Sequence, residues 1–164
     1  MAKAKIHLNS KNEAVGYLMF MQANGNAPVI IKGKLWNMTP NTVHGFHVHE
    51  YPLLNKELNC TAAGPHFNPY STSHGPITAN INNRHVGDLG NVTSDSAGHI
   101  NIHIEDSIIQ LYNATQSIAN RTIVLHAMRD DGGMGGFPDS STTGNAGARI
   151  GCGNIMLKNK WSKH

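Results

Sequence analysis

The sequence is poor in charge, in aromatics and in cysteine. Of its 164 residues only 14% are charged and 6% aromatic, and there are two cysteines, Cys60 and Cys152. No run approaches the ~20 apolar residues that a membrane-spanning helix needs, so no membrane partner is expected. The opening MAKAKIHLNS carries lysines but no apolar stretch after them, which does not fit a secretory leader and leads to the expectation of a cytoplasmic protein. Asn37, Asn59, Asn91, Asn113 and Asn120 then read as chance glycosylation sequons in an asparagine-rich chain. The net charge is +3 and the pI about 9.0. The basic residues read as scattered, over Lys3, Lys5, Lys32, Lys34 and the tail residues Lys158, Lys160 and Lys163. With few aromatics to stack on bases, no nucleic-acid partner is expected.

What is there points to β structure. Glycine numbers 17, a balance that suits turns and short strands rather than a helical bundle. The length fits one domain, 1–164, with room for a real core. Lys3 to Asn9 alternates, with Ala4, Ile6 and Leu8 on one face. Val15 to Gln22, Val29 to Leu35 and Thr42 to His49 follow, separated by the turn signals Asn24-Gly25-Asn26 and Pro40-Asn41. These four segments predict an antiparallel meander. Periodicity stops between residues 50 and 84, a loop long enough to imply function. Strands resume at Arg84 to Val92, His99 to Glu105 and Arg121 to His126; a second, glycine-rich loop runs from Asp130 to Gly147 before Arg149 to Leu157. The expected fold is all-β: eight short antiparallel strands in a sandwich or flattened barrel, with two long loops over its outer face.

Histidine concentrates the chemistry. In Gly45-Phe46-His47-Val48-His49-Glu50 the two histidines share one strand face, roughly 6.5–7 Å apart along the backbone, opposite the apolar Phe46 and Val48. His66 and His74 lie in the first loop, His85 and Asp88 at its end. His126 ends a strand just before the second loop and points away from the face of Ile123 and Leu125. Six histidines and one carboxylate thus border the same two loops, more donors than one ion uses, which favours two adjacent metal sites. His44 shares the face of Phe46 and is expected in the core; His7, His99 and His103 are expected at the surface, and His164 at a frayed end.

GFHVHE, AGPHFNP (Ala63 to Pro69), His74-Gly75, RHVGDLGNV (Arg84 to Val92), IEDSII (Ile104 to Ile109) and TGNAGARIGCG (Thr143 to Gly153) together resemble the copper/zinc superoxide dismutase family, in one collinear order from about residue 3 to 157. That family is a standard example of the sandwich architecture. The resemblance implies an eight-stranded Greek-key barrel and an oxidoreductase with one copper and one zinc per subunit. It would convert two superoxide anions and two protons to oxygen and hydrogen peroxide by alternate reduction and reoxidation of copper. It implies copper on His47, His49, His66 and His126, zinc on His66, His74, His85 and Asp88, and His66 as the bridge and proton carrier. Asp130 would link a copper-side and a zinc-side histidine, Arg149 would dock the anion, and Thr143 would line the channel. Imidazole donors alone suit copper, and three histidines with one aspartate suit a closed zinc site. A non-catalytic metal buffer or decoy of the same fold is the alternative reading, and Arg149 argues against it.

The resemblance also pairs Cys60 with Cys152, where composition alone allows free thiols or metal ligands. It implies a homodimer that buries the region of Tyr51-Pro52-Leu53-Leu54 against the last strand, with Leu53, Leu54 and Ile155 as contact candidates. A copper chaperone is a possible further partner. Many members have a lysine where this chain has Thr142, which leads us to expect weaker local steering of the substrate anion. Residues 158–164 run past the family's usual end, and Trp161 there has no assigned role.

Overall fold

The computed structural model describes residues 1–54 and 58–158, so the expectations for Lys160, Trp161, Lys163 and His164 fall outside the described residues. The strands are β1 (Ala2–Leu8), β2 (Ala14–Met21), β3 (Val29–Leu35), β4 (Val43–His49), β5 (Asp88–Thr93), β6 (Ile100–Asp106), β7 (Thr122–His126), β8 (Arg149–Asn154) and the two-residue β9 (Met156–Leu157). A 3₁₀ turn, Cys60–Ala63, and one short helix, α1 (Ser140–Thr143), lie in the two long loops.

The strands form one antiparallel sheet in the order β5-β4-β7-β8-β1-β2-β3-β6, with β9 also pairing β1. Strands β5 and β6 stand at opposite ends of this order, yet only residues 94–99 separate them in sequence. A turn that short closes the gap only if the sheet curls on itself, and the result is a nearly closed eight-stranded barrel. Only β1, β2 and β3 form the expected meander. β4 does not continue it: β3 pairs with β6, and β4 crosses to pair with β5 and β7. Turn signals between β3 and β4 mark a reversal but not which neighbour is chosen. The crossing leaves Phe46 and Val48 buried in the core.

Period-two alternation is the reason for the core. β1 buries Ala2, Ala4 and Ile6; β2 buries Val15, Leu18 and Phe20; β3 buries Val29, Ile31 and Leu35. Ile109, Leu111 and Ile118, from the β6–β7 connection, cap the same core. Two boundaries differ from expectation. β5 starts at Asp88, because Arg84 turns inward to pair with Asp106 at 2.7 Å and donates to the Ile77 carbonyl. The last strand is interrupted at Ile155, whose side chain is fully buried in the main core. Ile155 is therefore excluded as a dimer contact. Leu53 is also mostly buried, against Cys60, Ala63, Val124 and Cys152, whereas Leu54 is 69% exposed.

The Cys60–Cys152 disulfide is formed and ties the first loop to β8 across 92 residues. Glu50, just after β4, ion-pairs with Arg121 at 2.9 Å, and the Arg121 guanidinium lies 3.5 Å over the Phe67 ring. His44 is buried as expected, its Nδ1 2.8 Å from the His126 carbonyl. His103 is exposed, while His7 and His99 are half-buried rather than fully solvated.

Candidate metal centre

Alternation along β4 sends Phe46 and Val48 into the barrel and His47 and His49 to its outer side. Both histidines are nevertheless buried, because the two long loops cover them. The first loop is laid along β4 by backbone hydrogen bonds: the Phe67 N–H donates to the Val48 carbonyl, the Gly87 N–H to Phe67, and the Val48 N–H to Gly87. This seats His66 beside His49, with which it forms an isolated antiparallel bridge. His126 arrives from the end of β7, where the β7–β8 register slips between Leu125 and His126.

Two four-residue groups result, and they share one member. His47, His49, His66 and His126 form one; His66, His74, His85 and Asp88 form the other; all are buried, and within each group one donor atom per residue lies within 4.8 Å of the rest. His49 Nε2 and His126 Nε2 are 3.3 Å apart. In the second group His85 Nδ1 lies 3.3 Å from His66 Nδ1 and 3.1 Å from Asp88 Oδ1. A tetrahedral zinc ion with bonds of about 2.0–2.1 Å spaces its donors about 3.3 Å apart, so these separations fit such an ion. His47 Nδ1 and His66 Nε2 are buried and have no hydrogen-bond partner in the protein, as donors reserved for an ion would be. The donor chemistry fits both metals.

The remaining ring nitrogens are anchored. His49 Nδ1 donates to the Gly64 carbonyl at 2.8 Å and His126 Nδ1 to Gly147 at 3.1 Å, which directs both Nε2 atoms at the first group. Asp130 spans the groups: Oδ2 is 2.6 Å from His47 Nε2 and Oδ1 is 2.8 Å from His74 Nε2. Asn91 fixes Asp130 by a pair of side chain–backbone hydrogen bonds, and the Gly132 N–H donates to Oδ1. Gly144 adopts φ +69°, and a Cβ there would stand 2.2 Å from Asp130 Oδ1 and 2.5 Å from His74 Nε2. Only glycine lets α1 end against this hydrogen bond.

Burial, the largest cause in each case, holds His47 and His49 well below the ordinary histidine pKa and His126 down to about 4. Their imidazoles are neutral at pH 7, the form that binds metal. Burial would raise the Asp88 carboxyl, but hydrogen bonds with His66, His74 and His85 outweigh it and hold the group well below the carboxylate range. Burial would lower His74, yet hydrogen bonds with Asp130 and Asp88 raise it to about 9. That proton occupies a place an ion would take, so metal binding here releases it.

An open cavity of about 590 Å³ lies beside His66 and His85, walled by both loops through Pro65, Asn68, Ser141 and Thr142. Arg149 and Thr143 do not line it. Arg149 is half-buried, its Nη2 donating to the Gly64 carbonyl at 2.6 Å and its Nη1 to Cys60 at 2.8 Å. It therefore shares the Gly64 carbonyl with His49. Thr143 lies on α1 with its hydroxyl directed to the Asp139 carbonyl. The Gly64 and Gly147 carbonyls escape sequence reading, because a backbone acceptor has no residue-type signal, and Asn91 escapes it because its side chain is one of many asparagines in the chain.

A Greek-key β-barrel whose strands and loops gather seven donors into two groups with one imidazole in common offers two adjacent sites for metal ions. The chain matches the family described as copper/zinc superoxide dismutase (SODC) over residues 14–155. It is 43% identical to a "Superoxide dismutase [Cu-Zn]" of Cryptococcus neoformans, 42% to that of Candida albicans and 43% to that of Schizosaccharomyces pombe; each comparison covers 96% of this chain and 99% of the relative. The chain belongs to the copper/zinc superoxide dismutase family.

Proposed function

We propose that His47, His49, His66 and His126 hold copper, that His66, His74, His85 and Asp88 hold zinc, and that His66 serves both. The observation behind this assignment is the single imidazole common to two buried donor groups. The chain is a superoxide dismutase, an oxidoreductase with copper and zinc as cofactors and superoxide as substrate. When bound, copper supplies the one-electron couple of the dismutation and zinc a redox-silent charge.

The residues do the rest. Asp130 fixes the tautomers of His47 and His74, because each must present N–H to one of its oxygens. His66 Nδ1 faces His85 and Asp88 in the second donor group, so the unpartnered Nε2 is the atom that would take up a proton and return it to reduced substrate. Arg149, always charged, docks the anion close to His49 through their common anchor at Gly64. Diffraction from crystals loaded with both metals, recorded at the copper and zinc absorption edges, tests the assignment. Copper density at His47, His49 and His126 and zinc density at His74, His85 and Asp88 is expected; one metal in both places, or the reverse order, would contradict it.

Thr142, exposed beside the cavity, brings no cation to its rim. Steering of superoxide then rests on Arg149 and on distant charge, which salt screens over about 10 Å at 0.1 M. In Thr142→Lys we expect kcat/KM to fall more steeply with ionic strength than in the parent chain. Parallel salt dependences would exclude weak local steering.

The setting proposed is a cytoplasmic homodimer supplied by a copper chaperone. β1 begins at Ala2 and gives Ala2, Ala4 and Ile6 to the core. Leu54, 69% exposed on the first loop, supports a contact there.

A further inference from the structure

Lysines that read as scattered in sequence are brought together by strand register. Lys3 on β1 is opposite Met19 on β2, Met19 is opposite Lys32 on β3, and Lys32 is opposite His103 on β6. The next row runs Lys5, Tyr17, Lys34, Asn101. Alternation turns all of these away from the core, and all four lysines are exposed. Across the sheet the lysines are separated by one intervening strand, about 10 Å, while Lys3 and Lys5, and Lys32 and Lys34, stand about 7 Å apart along their own strands. Lys158 stands beside Lys3, whose hydrogen bond and like charge pull the Lys158 pKa below its ordinary value. Two carboxylates flank the face: Glu105, opposite Ile30, and Asp95, near Lys34. The face remains strongly positive.

It is also apolar. Tyr17 is 56% and Met19 39% exposed between the lysines. One row further along, Met1, Met21, Ala27, Pro28 and Ile30 line an open hollow of about 290 Å³. Charge and grease alternate on one sheet face. A nucleic-acid backbone would match the charge, but the face carries no arginine and one aromatic ring, Tyr17, which already leans on Trp36 at 6.2 Å. An anionic bilayer matches both properties, phosphate and carboxylate headgroups for the lysines and the upper acyl region for Met19, Met21 and Tyr17.

We propose that the outward face of β1, β2, β3 and β6 docks this enzyme on anionic phospholipid bilayers, through Lys3, Lys32 and Lys34 with Met19 and Tyr17 beside them. Lys5, whose side of β1 continues into a hollow with His7, Leu53 and Asn154 where the homodimer contact is proposed, lies outside the docking face. The proposed contact is with a bilayer surface; among the described residues no helix is long and apolar enough to cross a membrane. The face is separate from the histidine groups, so docking leaves the metal centre free. Each lysine near an anionic leaflet raises partitioning roughly fivefold, an effect that salt screens.

The test is co-sedimentation of the metal-loaded full chain with vesicles of phosphatidylcholine alone and with phosphatidylserine added. Binding is expected to be at least about tenfold stronger to the anionic vesicles and to weaken as salt rises. Lys32→Glu with Lys34→Glu is expected to lower it at least about 25-fold, with dismutation unchanged. Met19→Ser is expected to weaken binding and leave its salt dependence as it was. Equal binding to both vesicles, an unaffected double variant, or displacement from anionic vesicles by duplex DNA at equal phosphate would overturn the proposal.

Discussion

Replacing Cys60 and Cys152 together by alanine is expected to lower the stability of the metal-loaded chain by roughly 4–5 kcal/mol. The bond spans 92 residues, and a loop of that length is costly to leave unclosed in the unfolded chain. Both cysteines are fully buried, packed with Leu53, Ala63 and Val124, so removing the sulfurs also loosens that cluster. The effect reaches the metal centre. The Cys60 and Gly64 carbonyls hold the Arg149 guanidinium, and Gly64 also holds His49. Denaturant unfolding of the double variant against the parent measures the loss; a difference under about 1 kcal/mol would mean that the first loop is held in place by other contacts.

Asp130→Ala is expected to weaken copper and zinc together, each by about 10- to 100-fold, the range found when a partner of a metal-binding histidine is lost. One carboxylate fixes His47 on one side and His74 on the other, and both rings are buried, so its removal strands two Nε2 atoms without a partner. Competition with chelators of graded affinity, one metal at a time, gives the two constants. A loss confined to a single metal would show that Asp130 does not act as the common support.

Much of this was legible in the sequence because period-two patterning is a local property. Ala4 and Ile6, Ile100 and Ile102, and the split of Phe46 and Val48 from His47 and His49 all appear on the faces that alternation predicts. The seven donors likewise announce themselves by residue type, and the structure draws them into two groups. What pattern could not convey is non-local. The Pro40-Asn41 turn marks a reversal, but β4 takes β5 and β7 as its partners rather than β3, a choice among segments distant in sequence. Arg84 looks like the start of a strand until Asp106, distant in sequence, draws it inward. Ile155 looks like a surface candidate until the break between β8 and β9 turns it into the core. The lysine face is invisible for the same reason, since only the register of β2 places Lys3 and Lys32 in one row, on either side of Met19.

The measurement that bears most directly on the account is the rate of superoxide dismutation by protein whose copper and zinc contents have been quantified, with His126→Ala prepared in the same way. The parent chain should dismutate superoxide in proportion to its copper. His126→Ala should keep its zinc, bind copper at least about 100-fold more weakly and lose activity accordingly. A parent chain inactive at one copper and one zinc per subunit, or a fully active His126→Ala, would contradict it.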